Sequence, residues 1–192
     1  MEQREKNLIK HAQNGDTHAF DALVRLHDRR ILQITYSMLS HLQDAQDVYQ
    51  ETFLRAFSKL ESYRFESSFA TWLGRIAINL SINKRKQRKR RQWFSLDEKT
   101  DTQLHIEMEE NHRDVRTADE TVVSNEFYQQ IHNSLDVLSE QQRAAFTLKH
   151  LHGYKITEIS KIMTCAEGTV KNYLFRATQK LKKELMPYYK ME

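Results

Sequence analysis

Hydrophobic residues recur at intervals of three and four along most of the chain, which is the spacing of an amphipathic helix. One such stripe lies within 20–38, a second within 45–60 and a third within 69–80. Runs of β-branched residues are few, so strands are not predicted. Three apolar faces of this kind can cover one another, and the pattern therefore predicts a small helical bundle over 8–91.

The helical pattern returns between about residue 127 and residue 185. Ser139 and Gln142 have the spacing of a capping box, which predicts that a helix starts there, and Gly153 is placed to end it. A short helix, a tight turn at 164–167 and a longer helix follow, an order typical of a helix-turn-helix DNA-binding motif. An ordinary helical hairpin is the alternative. Small or apolar residues fit the crossing of the two helices: Ile156, Ile159, Ser160, Val170 and Leu174.

The segment 95–126 differs from both helical zones. It contains ten Asp and Glu residues against three Lys and Arg, and its hydrophobic residues are sparse. This composition predicts a flexible acidic linker. The sequence thus predicts an all-α protein with two small helical domains, at 1–94 and 127–192, joined by 95–126.

Composition excludes several classes of function. Cys165 is the only cysteine, so an intramolecular disulfide is impossible, and the nine histidines lack the spacing of metal ligands. No glycine-rich phosphate loop or catalytic triad is present, so we expect no enzyme activity, cofactor or small-molecule substrate. No apolar run approaches the roughly 20 residues of a membrane helix, and the polar N-terminus does not resemble a signal peptide, so a cytoplasmic protein is expected.

Charge placement points to nucleic acid. The formal net charge is only +4, but seven of the eight residues in 84–91 are Lys or Arg, a pattern that favours a phosphate backbone. In the second helix of the predicted motif, Lys171 and Arg176 suit phosphates or guanine and Asn172 suits adenine. The residues predicted to face a major groove are Glu167, Thr169, Lys171, Asn172, Tyr173 and Arg176, and the helix N-terminus near Gly168 is placed to hold a phosphate.

Three segments resemble one family, the bacterial extracytoplasmic-function (ECF) sigma factors, which are two-domain initiation subunits of RNA polymerase. The segment 44–57, DAQDVYQETFLRAF, resembles region 2.2 of that family. The segment 63–91, which contains SSFATWLGRIAINLSINKRK, is similar to regions 2.3 and 2.4. The segment 138–174 resembles region 4, and the three occur in the family's order.

The resemblance implies partners for both domains. Core RNA polymerase would be bound through its β′ clamp helices and β flap, and promoter DNA at the −10 and −35 elements, the latter by the predicted motif. The residues that would face the clamp helices are Asp47, Gln50, Glu51 and Arg55. A solvated face of a core helix is the alternative for this set, with Phe53 and Phe57 pointing inward.

The resemblance also implies a −10 site, in which the loop 64–69 receives a flipped base and Asn79 lies beside the strand. The implied −10 residues are Arg64, Ser67, Ser68, Phe69, Arg75, Asn79, Lys84, Arg85, Lys86 and Arg88. Trp72 is either a stacking wedge or a core residue, and its position in the apolar stripe favours the core. The acidic linker either mimics nucleic acid in a basic polymerase channel or is a solvated spacer.

The chain departs from the family pattern at Phe65, where a loop glycine is usual, and at Thr164, where a turn glycine is common. Either position is strained if φ is positive. Cys165 is expected to be a small buried hydrophobe, with a redox role as the alternative. The resemblance further implies an anti-sigma factor, membrane-anchored in some relatives. A stand-alone helix-turn-helix regulator is the competing hypothesis, because it would explain 127–192 but not 44–91.

Overall fold

The computed structural model describes residues 2–96 and 134–189, and helices make up almost all of both stretches. The helices of the first stretch are α1 (Glu2–Gln13), α2 (Thr17–Leu39), α3 (Leu42–Lys59), a 3-10 turn (Leu60–Ser62) and α4 (Phe69–Leu96). Those of the second are a 3-10 turn (Leu135–Val137), α5 (Glu140–Phe146), a π turn (Thr147–Leu151), α6 (Ile156–Met163) and α7 (Glu167–Tyr189). These two stretches contain no strand, and the prediction of an all-α protein is confirmed.

Side chains that accept backbone hydrogen bonds mark the helix starts. Asp16 Oδ1 accepts from the Ala19 amide at 3.1 Å at the start of α2. The capping box predicted at Ser139 is present: Ser139 Oγ accepts from the Gln142 amide at 3.3 Å, and Gln142 Oε1 accepts from the Ser139 amide at 3.2 Å. Such caps satisfy amides that have no partner inside the helix, which explains why these helices begin where they do.

The predicted stripes of the first stretch meet in one core. Residues with no solvent exposure come from α2, α3 and α4 alike: Leu23, Ile34, Met38, Ala45, Ala56, Leu73, Ala77 and Ile78. α1 adds Ile9 and Ala12 to the same cluster. We call α1–α4 the first module and the described residues 134–189 the second module.

The apolar core continues from the first module into the second. Ile159 and Ile162 of α6 are fully buried in the same cluster as Leu73 of α4, and Tyr154 is 2 % exposed there. The two helices pack closely at Gly74, where a Cβ would lie 3.4 Å from Ile162 Cδ1, in ordinary van der Waals contact. We call this contact between the modules the seam. The stripes within each module did not predict it.

Within 2–96 and 134–189, three residues other than glycine have positive φ: Ser40 (52°), Phe65 (58°) and Thr164 (53°). The expectation of strain therefore applies to Phe65 and Thr164. Helix α4 continues to Leu96, two residues past the predicted domain boundary. The predicted linker beyond residue 96 and the helix predicted at Phe127 lie outside the described residues.

Candidate nucleic-acid interface

The exposed face of α3 combines polar and apolar side chains. Asp47, Gln50 and Arg55 are exposed, and Glu51 Oε1 accepts a hydrogen bond from Arg55 Nε at 2.6 Å. Leu54 on the same face is 66 % exposed. Leu54 was missed in the sequence because it falls beside the apolar stripe at a position that reads equally well as core.

Phe57 extends this apolar surface, which corrects the expectation that it points inward with Phe53. Phe53 is buried at 8 % exposure, as expected, whereas Phe57 is 50 % exposed. The Phe57 ring makes an edge contact with Phe20 at 5.0 Å between centroids, so one side is anchored and the other is open.

Lys84 of α4 connects the basic segment to α3. Its Nζ lies 3.1 Å from Asp44 Oδ1 and 3.2 Å from Asp47 Oδ2. Burial opposes the charged form of Lys84, but hydrogen bonds to Asp44 and Asp47 raise its pKa, and the bond from Lys84 lowers the pKa of Asp47. One basic side chain therefore joins the residue sets predicted to bind polymerase and DNA.

The loop before α4 is fixed from both sides. Gln13 Nε2 donates to the carbonyl oxygens of Leu60 and Tyr63, both at 2.9 Å, and Tyr63 Oη donates to the Ser67 carbonyl at 2.6 Å. The Phe65 ring lies 4.9 Å from that of Tyr63. Gln13 was not identified from the sequence, since nothing local distinguishes it from other polar residues at a helix end.

The predicted −10 residues of this loop and of the first turns of α4 differ in solvent exposure. Arg64, Arg75 and Asn79 are exposed, and Ser67 is half-buried. Ser68 Oγ accepts from the Thr71 amide at 3.2 Å and so caps α4. Phe69 is 2 % exposed, which corrects its role from a contact to a support for the loop.

Trp72 has features of both roles that the sequence left open, a core residue and a stacking wedge. Its ring packs against Tyr63 and Phe69 at 5.1 and 5.4 Å, and it also lines a cavity of about 580 Å³ between the loop and the turn before α7. Cys165 borders the same cavity, and burial raises the pKa of its thiol, which favours a packing role over thiolate chemistry.

The basic segment of α4 is only partly free. Lys86 is exposed, and Arg88 is exposed with Nη1 3.7 Å from Asp44 Oδ2. Arg85 is buried at 7 % exposure, so it presents no surface to DNA in this arrangement. Arg85 Nη1 donates to the Met38 carbonyl of its own module at 3.4 Å. The carboxylate partners of Arg85 and Lys89 lie across the seam.

The helix-turn-helix is formed by α6 and α7, as predicted. Ile159 and Val170 are fully buried at its crossing, and Thr164 in the left-handed region makes the turn. The outer face of α7 presents exposed residues at helical spacing: Glu167, Gly168, Lys171, Asn172, Phe175 and Arg176. Thr169 and Tyr173 are half-buried, whereas Phe175, missed in the sequence, is 64 % exposed.

Two kinds of site are not found within 2–96 and 134–189. These residues contain no group of three or more His, Cys, Asp or Glu side chains placed to bind a metal ion. Across the same ranges, every helix is too short or too polar to span a bilayer.

An exposed helix-turn-helix and a basic helix beside a fixed loop define a DNA-binding transcription factor. Residues 23–91 match the family described as Sigma-70 region 2, and 128–181 match Sigma-70, region 4. The chain belongs to the sigma-70 family of RNA polymerase initiation factors. Its curated relatives include proteins named as ECF sigma factors, which confirms the sequence-based assignment. Because the matches cover both modules, the stand-alone regulator loses its support.

The relatives match over nearly the whole chain. The RNA polymerase sigma-H factor of Pseudomonas aeruginosa is 33 % identical over 186 residues, covering 97 % of this chain and 96 % of the relative. The ECF sigma factor SigW of Bacillus subtilis is 32 % identical over 186 residues, covering 96 % and 98 %.

Solved structures share the fold. The structure of CnrH in complex with the cytosolic domain of CnrY has a TM-score of 0.69 at 20 % identity and covers 96 % of this chain and 98 % of that one. The sigma factor RpoE of Bartonella quintana, solved with the anti-sigma factor NepR, has a TM-score of 0.65 at 23 % identity and covers 87 % and 96 %.

Proposed function

We propose that this sigma factor binds core RNA polymerase through α3, reads the −35 duplex with α7, and captures −10 bases with the loop 64–69 and α4. The observation that carries the proposal is the outer face of α7. There Lys171, Asn172 and Arg176 are exposed on the second helix of a helix-turn-helix. These side chains offer bonds to guanine, adenine and phosphate, and an α-helix fits the major groove.

The face of α3 suits a reversible protein partner. Asp47, Gln50, Glu51 and Arg55 supply polar contacts, while Leu54 and Phe57 supply an apolar centre at 66 % and 50 % exposure. Interfaces commonly combine an apolar centre with a polar rim, because the centre contributes affinity and the rim contributes specificity. We assign this face to the polymerase β′ clamp helices and the second module to the β flap.

The proposed −10 step is selective binding rather than catalysis. Extruding a base costs a few kcal/mol of stacking, which edge hydrogen bonds and apolar contacts in a pocket offset. Ser67, Trp72 and Arg75 line the cavity beside the loop, and Asn79 is exposed one helical turn beyond Arg75. Preferential affinity for the unstacked strand then shifts the duplex toward its open state.

Regulation by an anti-sigma factor belongs to the same proposal. The two solved neighbours are complexes, CnrH with the cytosolic domain of CnrY and RpoE with the anti-sigma factor NepR. We propose that this chain acts in the cytoplasm and has an anti-sigma partner of its own. The division at 1–94, 95–126 and 127–192 remains our assignment of its domains.

The test is transcription by core polymerase supplemented with the purified chain on fragments of the source genome, with transcript starts sequenced. We expect new starts that share −10 and −35 elements. Asn79→Ala should weaken promoter opening and leave polymerase binding intact. Absence of any chain-dependent start would refute the proposed function, and equal loss of opening and polymerase binding would refute the role of Asn79.

A further inference from the structure

The seam is held by a guanidinium of the second module that enters the first. Arg143 of α5 has no solvent exposure. Its Nε donates to the Ser37 carbonyl at 3.0 Å, its Nη2 donates to Ser40 Oγ, and its Nη1 donates to Asp136 Oδ1 at 2.7 Å. Burial, with the charge of Arg85 close by, lowers the pKa of Arg143 to about 10.

Beside Arg143, carboxylates of the second module lie on the basic segment of α4. Asp136 Oδ1 is 3.1 Å from Arg85 Nη2, and Glu140 Oε1 is 2.7 Å from Lys89 Nζ. Burial opposes the charged form of Glu140, but the hydrogen bond from Lys89 lowers its pKa. Arginine and lysine bind both carboxylate and phosphate oxygens, so these two carboxylates occupy basic groups of a kind that also binds DNA phosphates.

The seam is also imperfect. Among the described residues, four buried side-chain polar atoms lack a hydrogen-bond partner, and three of them lie here: Arg85 Nε, His152 Nε2 and Tyr154 Oη. Arg85 Nε is 3.8 Å from Glu140 Oε1, beyond hydrogen-bond distance. A buried donor without a partner destabilises its surroundings. These atoms oppose closure, whereas the shared apolar core and the hydrogen bonds of Arg143 favour it.

Geometry also separates this arrangement from promoter binding. Elements centred at −10 and −35 are about 25 base pairs apart, or about 85 Å at 3.4 Å per step. In the closed arrangement α6 packs directly on α4, and the turn before α7 faces the loop across one cavity. The two modules cannot reach both elements from there, whereas the exposed face of α3 stays accessible.

We propose that Asp136 and Glu140 act as intramolecular phosphate substitutes on Arg85 and Lys89, so that closure of the seam and DNA binding compete for one basic surface. The proposal rests on the proposed function for the identity of the competing ligand. Free chain is closed at this surface while α3 stays open to polymerase, and DNA phosphates displace the carboxylates once the seam opens.

The test measures the distance between the two modules and the affinity for DNA on the same full-length protein. Spin labels at Lys10→Cys and Lys183→Cys, in a Cys165→Ser background, report the distance between modules. A fluorescein-labelled 25-base-pair duplex of mixed sequence reports affinity at low salt. The test variant is Glu140→Gln, and the matched control is Glu184→Gln, which removes the same charge from an exposed position on α7.

We expect a short-distance population in the parent protein that shrinks in Glu140→Gln and on addition of the duplex. Affinity for the duplex should rise about three- to tenfold in Glu140→Gln relative to Glu184→Gln, the range that loss of one or two partly exposed ion pairs allows. Ser40→Gly should also open the seam, because glycine keeps the positive-φ turn while removing the hydroxyl that Arg143 binds.

Two results would overturn the proposal: a parent protein without the short-distance population, or Glu140→Gln and Glu184→Gln with equal distances and equal affinities. Failure of the proposed function is distinguishable. If the distances and the duplex affinity shift as expected but core polymerase initiates nowhere, the seam competition stands and the sigma assignment of these surfaces falls.

Discussion

Replacing Leu54 by Ala tests whether the exposed face of α3 binds polymerase. Full burial of a leucine side chain is worth about 1.5–3 kcal/mol, and Leu54 is 66 % exposed in the free chain. Covering that exposed part against a partner therefore contributes about 1–2 kcal/mol. Most of this is lost on truncation to Ala, so Kd for core polymerase should rise about 5- to 30-fold.

The assay is titration of labelled chain with core polymerase in the absence of DNA. Leu26→Ala is the matched control, because Leu26 of α2 is also exposed, at 58 %, but lies outside the predicted polymerase set. Both variants should keep the free energy of unfolding within about 0.5 kcal/mol of the parent, as surface substitutions usually do. Equal Kd values for the two variants would refute the assignment of α3.

Three further predictions concern the turn, the basic segment and the seam. Thr164→Gly should stabilise the chain by about 0.5–1 kcal/mol in denaturant unfolding, because it relieves a β-branched residue at φ 53°; a less stable variant would contradict the strain. Neutralising Lys86 and Arg88 together should reduce the slope of log K against log salt for promoter binding by about 1.8, and an unchanged slope would exclude them from DNA contact. Burial, with the charge of Arg30 nearby, lowers the pKa of His152 to about 4, below the usual 6.5. Between these two pH values, His152 is protonated in the unfolded chain and neutral in the folded chain. Stability should therefore fall by about 1–3 kcal/mol from pH 6.5 to 4, and His152→Asn should lose that part of the pH dependence in unfolding curves.

Local signals predicted local structure well. The capping box at Ser139 and the end of the following helical segment before Gly153 depend on neighbouring residues, and both appear as expected. The apolar stripes identified the core of the first module because burial of one helix face follows directly from helical spacing.

Contacts between distant segments were not predictable in the same way. Arg143 sits in a polar stretch of sequence, yet it is fully buried because Ser37 and Ser40, more than 100 residues away in sequence, supply acceptors. Arg85 was grouped with its basic neighbours, although it is buried at 7 % exposure while Lys86 and Arg88 are exposed. Leu54 and Phe57 show the converse, since apolar residues placed for a partner cannot be told from core residues by periodicity.

Helix α4 is unbroken, so it fixes the distance between the loop at its start and the basic segment further along it. Phe69, where the helix starts beside the loop, and Lys84, where the basic segment starts, are separated by about 22 Å at 1.5 Å per residue. That length corresponds to six or seven steps of a DNA duplex, at about 3.4 Å each. Under the proposed function, this rigid helix sets the distance between the duplex held at the basic segment and the first unstacked base at the loop. That distance is independent of the position of the second module.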